Sequence, residues 1–238
     1  MPTAQADILY PRASAILEDL TRLEQEVSSS GNRISGELII GASTIPGTYI
    51  LPQLAATFKQ RYPDISFEIR INDSARIAEA VASHELFIGV VGAKTNNSKL
   101  RFTAFTEDEL ILAVSAKRKI AQKISPEQLS TLPFIIRERG SGTRKSSESM
   151  LASIGLSAGN LKICATLGSS AAVKEAVKAN LGVSIISRCA ILEELETGTI
   201  QPIHIEGLDM HRSFYAVTAS RRSLPNHYSL FLDQLLQQ

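Results

Sequence analysis

The sequence contains no tryptophan, and only 5% of its residues are aromatic. A surface that stacks the bases of single-stranded nucleic acid needs exposed aromatic rings, so this class of binding protein is disfavoured. The 25 basic and 24 acidic residues give a formal charge of +1, without the basic excess typical of nucleic-acid-binding domains. No stretch approaches the roughly 20 apolar residues that cross a bilayer, so we expect no membrane partner.

Cysteine is also scarce. Cys164 and Cys189 are too few for a disulfide framework, which favours a reducing compartment, and both lie in apolar sequence that predicts buried, inert thiols. The first residues include Asp7 and Arg12 and do not resemble a secretory signal. We therefore expect a cytoplasmic protein. Its 238 residues correspond to one large domain or two small ones.

The common catalytic and metal motifs are absent. No HExxH, CxxC or GxSxG pattern occurs, and the run Gly140-Ser141-Gly142-Thr143-Arg144 has no lysine before a Ser or Thr, as a phosphate loop requires. His204 and His211 flank a predicted turn and are interpreted as solvated residues. The sequence therefore predicts no catalytic residue, no metal and no cofactor.

The first 33 residues differ in pattern from the rest of the chain. Apolar residues recur there at intervals of four and three: Leu9, Ala13, Ile16, Leu20, Leu23 and Val27. This spacing predicts a helix with an a/d seam, which the run SSSGN at 28–32 ends. Because the seam is short for a free coiled coil, it needs a partner, either its own domain or a second copy of the chain.

From Glu37 onward, short apolar runs alternate with helical stretches, which predicts an α/β fold with mostly parallel sheets. The predicted strands are 37–43, 65–72, 86–91, 109–115, 133–138, 161–167, 182–187, 200–205 and 213–219. The predicted helices are 47–61, 74–83, 143–154, 170–180, 189–197 and 225–237. The predicted strand and helix at 37–61 resemble the predicted strand and helix at 161–180. Two similar halves that face each other across a cleft would produce such a similarity.

Small hydroxyl residues and glycines collect where strands lead into helices. The four junctions are Ser43-Thr44-Ile45-Pro46, Asn72-Asp73-Ser74, Gly140-Ser141-Gly142-Thr143-Arg144 and Gly168-Ser169-Ser170. In α/β sheets, ligands bind beyond the carboxyl ends of the strands, where helix N-termini favour anions. Helix capping alone also explains such residues. Two glycines beside Ser141, Thr143 and Arg144 point more specifically to a ligand, whereas Asp73 counts against an anion unless it caps its helix.

Several segments together resemble the LysR-type transcriptional regulators. ILYPRASAILEDLTRLEQEV is similar to their linker helix, and GELIIGASTIPGTYILPQLAATFKQRYPDISFEI to the opening of their effector-binding domain. Further similarity lies in IAEAVASHELFIGVVGA, FTEDELILAVS, RERGSGTR and VKEAVKANLGVSIISR. Two residues depart from the family pattern: His84 and Phe87 stand where these regulators usually have Gly and Asp.

The resemblance implies two Rossmann-like subdomains around a cleft, like type II periplasmic binding proteins, preceded by a long N-terminal helix. The implied division is a linker or dimerisation helix at 1–33, subdomain I at 34–110 and 220–238, and subdomain II at 111–219. Members of this family carry a winged helix-turn-helix before the linker helix. The chain is therefore expected to be the regulatory part, contacting DNA only through that missing module.

The same resemblance implies a site and a mechanism. The residues expected to bind the effector are Ser43, Thr44, Asn72, Ser141, Gly142, Thr143, Arg144 and Ser169. The SGTR form is most similar to branches of the family concerned with sulfur, selenium, nitrogen or carbon assimilation, which implies a small oxyanion or carboxylate. Its binding would shift the angle between subdomains in a homodimer or homotetramer.

Three other functions are compatible with this fold. A transporter's solute-binding protein would be a monomer, which the amphipathic helix disfavours. An enzyme would need titratable residues in the cleft, and the junctions offer hydroxyls and Arg144 but no acid–base pair. A ligand-free interaction module would show no stabilisation by any small molecule.

Overall fold

The computed structural model describes residues 34–237 without a gap, and single residues and pairs between 3 and 23. Most of the predicted helix at 1–33 therefore lies outside the described residues. Those described between 5 and 23 have helical conformation. The side chains of Leu9, Ile16, Leu20 and Leu23 are 52–67% exposed, so these seam residues do not pack against their own domain.

Ten strands follow in the continuous part of the structure. They are β1 (Gly36–Ser43), β2 (Ile65–Asn72), β3 (Ile88–Val91), β4 (Leu100–Ser115), β5 (Lys123–Ile124), β6 (Pro133–Arg137), β7 (Lys162–Leu167), β8 (Ser184–Ser187), β9 (Ile200–Ile205) and β10 (His211–Ala219). The α-helices are α1 (Leu51–Arg61), α2 (Ser74–Ala82), α3 (Pro126–Thr131), α4 (Gly142–Ser153), α5 (Ser170–Lys178), α6 (Leu192–Glu196) and α7 (Asn226–Leu236). A π-helical turn, Pro46–Ile50, leads into α1.

The predicted elements agree closely with these bounds, with two exceptions. The strand predicted at 109–115 begins nine residues earlier, at Leu100. Only Leu100, Phe105 and Asp108 are buried among residues 100–108, so no apolar run marks this part of the strand in the sequence. The short elements β5 and α3 were not predicted. Helix α3 has a capping box in which Ser125 and Gln128 each accept a hydrogen bond from the other's backbone N–H.

One sheet runs through the molecule in the order β2-β1-β3-β10-β4-β9-β5, with β8 also pairing with β4. The prediction of mostly parallel sheets is wrong. Four strand pairings are parallel, and the four made by β4 or β10 with β3, β8, β9 and each other are antiparallel. The sheet is mixed because these two strands cross between the halves in opposite directions.

The crossing strands divide the chain into a first half, residues 34–99 and 220–237, and a second half, residues 116–210. Leu100–Glu109 of β4 pair with β10, and Leu110–Ser115 pair with β8 and β9. Strand β10 itself pairs with β3, so the return to the first half occurs through β10. The subdomain boundaries at 110 and 219 remain predictions.

The largest of the buried apolar clusters contains residues of both halves, such as Leu38 and Phe58 of the first with Ile135 and Val173 of the second. In the first half, Phe58 packs against Phe67 and Phe231, with ring centroids 5.9 and 5.4 Å apart. Leu129 and Ile203 of the second half belong, with Leu112 of β4, to a separate cluster of buried residues. The two halves therefore share apolar packing, and the polar site lies at the strand ends and helix starts beside it.

One of the two cysteines is not where the sequence predicts it. Cys164 is exposed, because β7 pairs with β6 alone and the described residues cover neither of its faces completely. Cys189 is partly buried, and burial raises the pKa of its thiol. A raised pKa keeps Cys189 in the unreactive thiol form.

Candidate functional site

A small polar cavity lies where the two halves meet. It occupies about 10 Å³, and its lining comes from the ends of β1, β2, β3 and β6, the start of α4 and strand β10. The lining residues are Ser43, Thr44, Ile45, Asp73, Ser74, Gly92, Arg137, Ser141, Gly142, Thr143, Arg212 and Phe214. This volume holds about one water molecule, so a larger ligand requires the halves to separate or side chains to move.

The first half contributes hydroxyl groups and a helix N-terminus. Ser43 ends β1 and Ser74 begins α2, and both are buried. Asp73 caps α2: its carboxylate accepts a hydrogen bond from the Arg76 backbone N–H at 2.9 Å. The sequence predicts that Asp73 disfavours an anion at this junction unless it caps its helix. Because Asp73 does cap α2, it does not exclude an anion here. The hydroxyl of Ser74 has no hydrogen-bond partner among the described residues.

The second half contributes the start of α4. Ser141 caps this helix by accepting a hydrogen bond from the Arg144 backbone N–H, and Ser141, Gly142 and Thr143 are all buried. The first N–H groups of a helix have no partner within it and carry the positive end of the helix dipole. The residues that carry them, Gly142 and Thr143, line the same cavity as the hydroxyls of the first half.

Arg137, the last residue of β6, joins the two halves. Its guanidinium donates to Ser170 Oγ at 2.5 Å in the second half and to Thr44 Oγ1 at 3.3 Å in the first. It also forms two hydrogen bonds of 2.7 Å with the Glu138 carboxylate. Burial raises the pKa of Glu138, but the Arg137 guanidinium outweighs burial and the pKa is lowered. The Arg137–Glu138 pair is therefore charged at neutral pH.

Arg212 enters the cavity from β10. Its Nε donates to Asp108 Oδ2 at 2.8 Å, and its Nη1 donates to Thr143 Oγ1 at 3.3 Å. Burial lowers the pKa of Arg212, and the neighbouring Asp108 opposes this shift. The Ser187 hydroxyl donates to the other oxygen of Asp108 at 2.6 Å. A buried, hydrogen-bonded ion pair thus anchors one cation at the back of the cavity.

The structure brings five of the eight predicted site residues together. Ser43, Thr44, Ser141, Gly142 and Thr143 line the cavity. The other three predicted site residues lie beside it and do not line it: Asn72, Arg144 and Ser169.

Local hydrogen bonds explain these three positions. The Asn72 side chain accepts from the Asp73 backbone N–H, and Ser169 caps α5. Arg144 pairs with Glu148 at 2.7 Å, behind the cavity. The roles of all eight residues in binding remain predictions.

Sequence reasoning missed the two arginines. Arg137 follows the apolar run PFII, and Arg212 precedes SFYAVTA in a strand with three buried residues. A charged residue at the end of a buried strand needs a hydrogen-bond or ion-pair partner. The position of each arginine beside an apolar strand could therefore have identified it as a candidate site residue. Because the partners of Arg212, Asp108 and Thr143, are 104 and 69 residues away in sequence, spacing could not show that the arginines converge.

Two further features are absent from the described residues. None of the helices there is long and apolar enough to span a membrane. Within the same residues, His, Cys, Asp and Glu side chains form no group of three or more that could hold a metal ion.

Comparison with known proteins places this geometry in a family. The family model described as the LysR substrate binding domain matches residues 31–238. Among curated proteins, the uncharacterized HTH-type transcriptional regulator YeiE of Escherichia coli is 31% identical over 227 residues, which cover 95% of this chain and 75% of that protein.

Two solved structures have the same fold. The regulatory domain of Synechocystis PCC6803 CcmR in complex with 2-PG superposes with a TM-score of 0.77 at 23% identity, over 85% of this chain and 96% of that one. The effector-binding domain of QuiR in complex with shikimate superposes with a TM-score of 0.76 at 19% identity, over 86% and 97%. The predicted α/β fold of the type II periplasmic-binding-protein kind is thereby confirmed. The chain belongs to the LysR family of transcriptional regulators and contains its substrate-binding domain.

Proposed function

We propose that this chain is the effector-sensing part of a LysR-type regulator, and that it binds a small anion in the cavity between its halves. The observation that carries the proposal is the meeting of Arg137 and Arg212 with buried hydroxyls and the N-terminus of α4. Hydroxyl and N–H donors suit oxyanions, and arginine matches carboxylates and other planar or tetrahedral anions geometrically. The two solved structures of the same fold are complexes with 2-PG and with shikimate, which supports a small acid.

Charge in the cavity is nearly balanced before any ligand binds. Glu138 and Asp108 neutralise Arg137 and Arg212, and Asp73 adds one carboxylate at the α2 cap. Neutral hydroxyls and helix N–H groups would therefore supply much of the stabilisation of a bound anion. This arrangement favours an anion that accepts many hydrogen bonds over one held by charge alone.

Several contacts would couple binding to the angle between the halves. Arg137 donates to Thr44 across the cavity, and Lys145 Nζ donates to the Lys94 carbonyl oxygen at 2.6 Å. A ligand that inserts between such partners binds one arrangement of the halves more tightly than the other. Only this difference in affinity shifts the equilibrium, and typical coupling energies are about 1–3 kcal/mol.

The remaining partners follow from the family. The chain would form a homodimer or homotetramer, would contact DNA only through an N-terminal module beyond this sequence, and would act in the cytoplasm. It would perform no catalysis, since its relatives are regulators.

A thermal-shift panel tests the proposal. Sulfate, sulfite, thiosulfate, selenite, nitrite, phosphate and small carboxylates would be compared, because a ligand at 100 times its Kd adds about 2.7 kcal/mol to stability. A selective rise in Tm with one anion supports the proposal. No shift with any of them contradicts anion binding and favours a ligand-free interaction module.

Replacing Thr143 tests the site itself. Thr143→Val removes a hydroxyl from the cavity, and we expect the Kd of the stabilising anion to rise about tenfold, the effect of one charged hydrogen bond. Isothermal titration calorimetry measures the change. Thr103→Val, on the exposed side of β4, is the matched control and should bind like the parent chain. Equal affinity for the two variants would exclude Thr143 from the site.

A further inference from the structure

A larger groove lies directly outside the central cavity. Its volume is about 370 Å³, and it shares Ser74 and Ser141 with the cavity. Residues from both halves line it, with Ala93, Lys94 and Thr95 following β3 and the segment around Gly140 leading into α4. We refer to this region as the outer groove.

The charged residues of the outer groove are four cations and one carboxylate. The carboxylate, Glu148, pairs with Arg144 at 2.7 Å. Lys94, Arg139 and Lys145 form no ion pair with a carboxylate anywhere in the described part of the chain. Lys94 Nζ lies over the Tyr215 ring, 4.6 Å from its centroid, and Lys145 Nζ donates to the Lys94 carbonyl oxygen. Because no carboxylate balances these three cations, they attract an anion to the outer groove.

Ser74 connects the outer groove to the cavity. It is 3% exposed and lines both spaces, and its hydroxyl has no hydrogen-bond partner among the described residues. A buried hydroxyl without a partner is uncommon and costs free energy. A ligand atom passing from the cavity into the outer groove would supply the missing partner.

From these observations we infer that the effector carries two acidic groups on a short carbon skeleton. One acidic group occupies the central cavity, and the second lies in the outer groove against Lys94, Arg139 and Lys145, with Ser74 contacting the atoms between them. The inference rests on the proposed function and deepens it, because it names the chemical class of the ligand and a second subsite.

Paired probes separate the two subsites. Methylphosphonate and acetate each carry one acidic group, whereas phosphonoacetate and malonate carry two. Titration calorimetry on the whole chain should show about tenfold tighter binding for the better of the two-group probes than for its one-group counterpart. Comparing the affinities of the phosphonate probes with those of the carboxylate probes shows which acidic group the central cavity binds more tightly.

Variants locate the second group. Arg139 is exposed, and its side chain forms no ion pair or hydrogen bond within the described part of the chain. Arg139→Gln should therefore leave Tm unchanged and remove most of the tenfold advantage, without affecting the one-group probe. Lys94→Gln is a second variant with the same expected effect on the two-group probe; because it also removes the ammonium from over the Tyr215 ring, its Tm is measured alongside. Arg221→Gln removes an exposed cation away from the outer groove and should change neither affinity.

The outcomes distinguish the two proposals. Binding of one-group probes with no gain from a second group overturns this inference alone and leaves the proposed function intact. An equal loss for both kinds of probe in Arg139→Gln overturns it as well, because the arginine would then act only through its distant charge. If none of the probes binds, the proposed function and this inference both fail.

Discussion

Gly142 controls how closely the two halves approach one another. A Cβ at this position would lie 2.5 Å from Ser74 Oγ and 3.2 Å from the backbone carbon of Gly92, which are residues of the opposite half. Glycine is needed here because of this close approach, and its φ is not in the left-handed region. The same approach buries the Ser74 hydroxyl between the cavity and the outer groove.

We therefore expect Gly142→Ala to destabilise the chain by about 1–3 kcal/mol, the usual cost of overpacking, and to weaken anion binding. Urea unfolding measures the first effect and calorimetry the second. Gly159→Ala is the matched control, because the nearest atom to its added Cβ is 3.7 Å away. Ser74→Ala in the Gly142→Ala background should restore part of the stability. No recovery would show that the backbone of Gly92, rather than Ser74, sets the limit.

Strand β4 is the element that both joins the halves and supports the site. It pairs with β10 along its first part and with β8 and β9 along its second. At the transition, Asp108 points inward with 3% of its side chain exposed, and its neighbour Glu109 points outward with 40% exposed. Because the side chains alternate, adjacent carboxylates of one strand form a buried and an exposed ion pair.

This alternation gives a matched pair of substitutions. Asp108→Ala leaves the Arg212 guanidinium buried without its carboxylate, and should cost about 3–5 kcal/mol of unfolding free energy. Glu109→Ala breaks only an exposed pair with Arg188, and should cost less than about 1 kcal/mol. Urea unfolding of both variants checks the difference. Similar costs would mean that Asp108 does not hold Arg212 in the folded chain.

At the scale of the whole molecule, the two ends of the continuous structure meet. Helix α7 packs on β1, where the Tyr228 hydroxyl accepts a hydrogen bond from the Ile39 backbone N–H at 2.9 Å. His227 lies beside Gly36, and its Nε2 is 3.2 Å from the Glu37 carbonyl oxygen. Burial lowers the pKa of His227, opposed by this hydrogen bond.

The lowered pKa predicts a pH-dependent stability. The unfolded chain takes up a proton on His227 near pH 6.5, while the folded chain resists it, so the contribution of His227 is complete above that pH. Stability is lost as the pH falls below about 6.5 toward the lowered pKa of the folded state. Urea unfolding between about pH 5 and 7.5 should show a smaller loss for His227→Gln than for the parent chain. Exposed His204→Gln is the control, and an unchanged slope in His227→Gln would exclude His227 as the source.

The order and bounds of most elements could be predicted from local sequence patterns. Apolar runs of period two and amphipathic runs of period 3.6 are local properties, so β2 and β9 were predicted residue for residue and α2, α4 and α7 within one or two residues. The hydroxyl-rich junctions were visible for the same reason, because caps and turns are specified by neighbouring residues.

Which of those junctions line the cavity, and which arginines lie beside them, depends on how the two halves pack in the folded chain. Asn72, Arg144 and Ser169 satisfy local hydrogen bonds beside the cavity, and this could not be known before the halves were packed. Arg137 and Arg212 meet because β6 and β10 run to the same place in space although 75 residues separate them in the chain. Pairing between strands that are distant in sequence depends on the whole sheet, so the local spacing of apolar residues does not predict it.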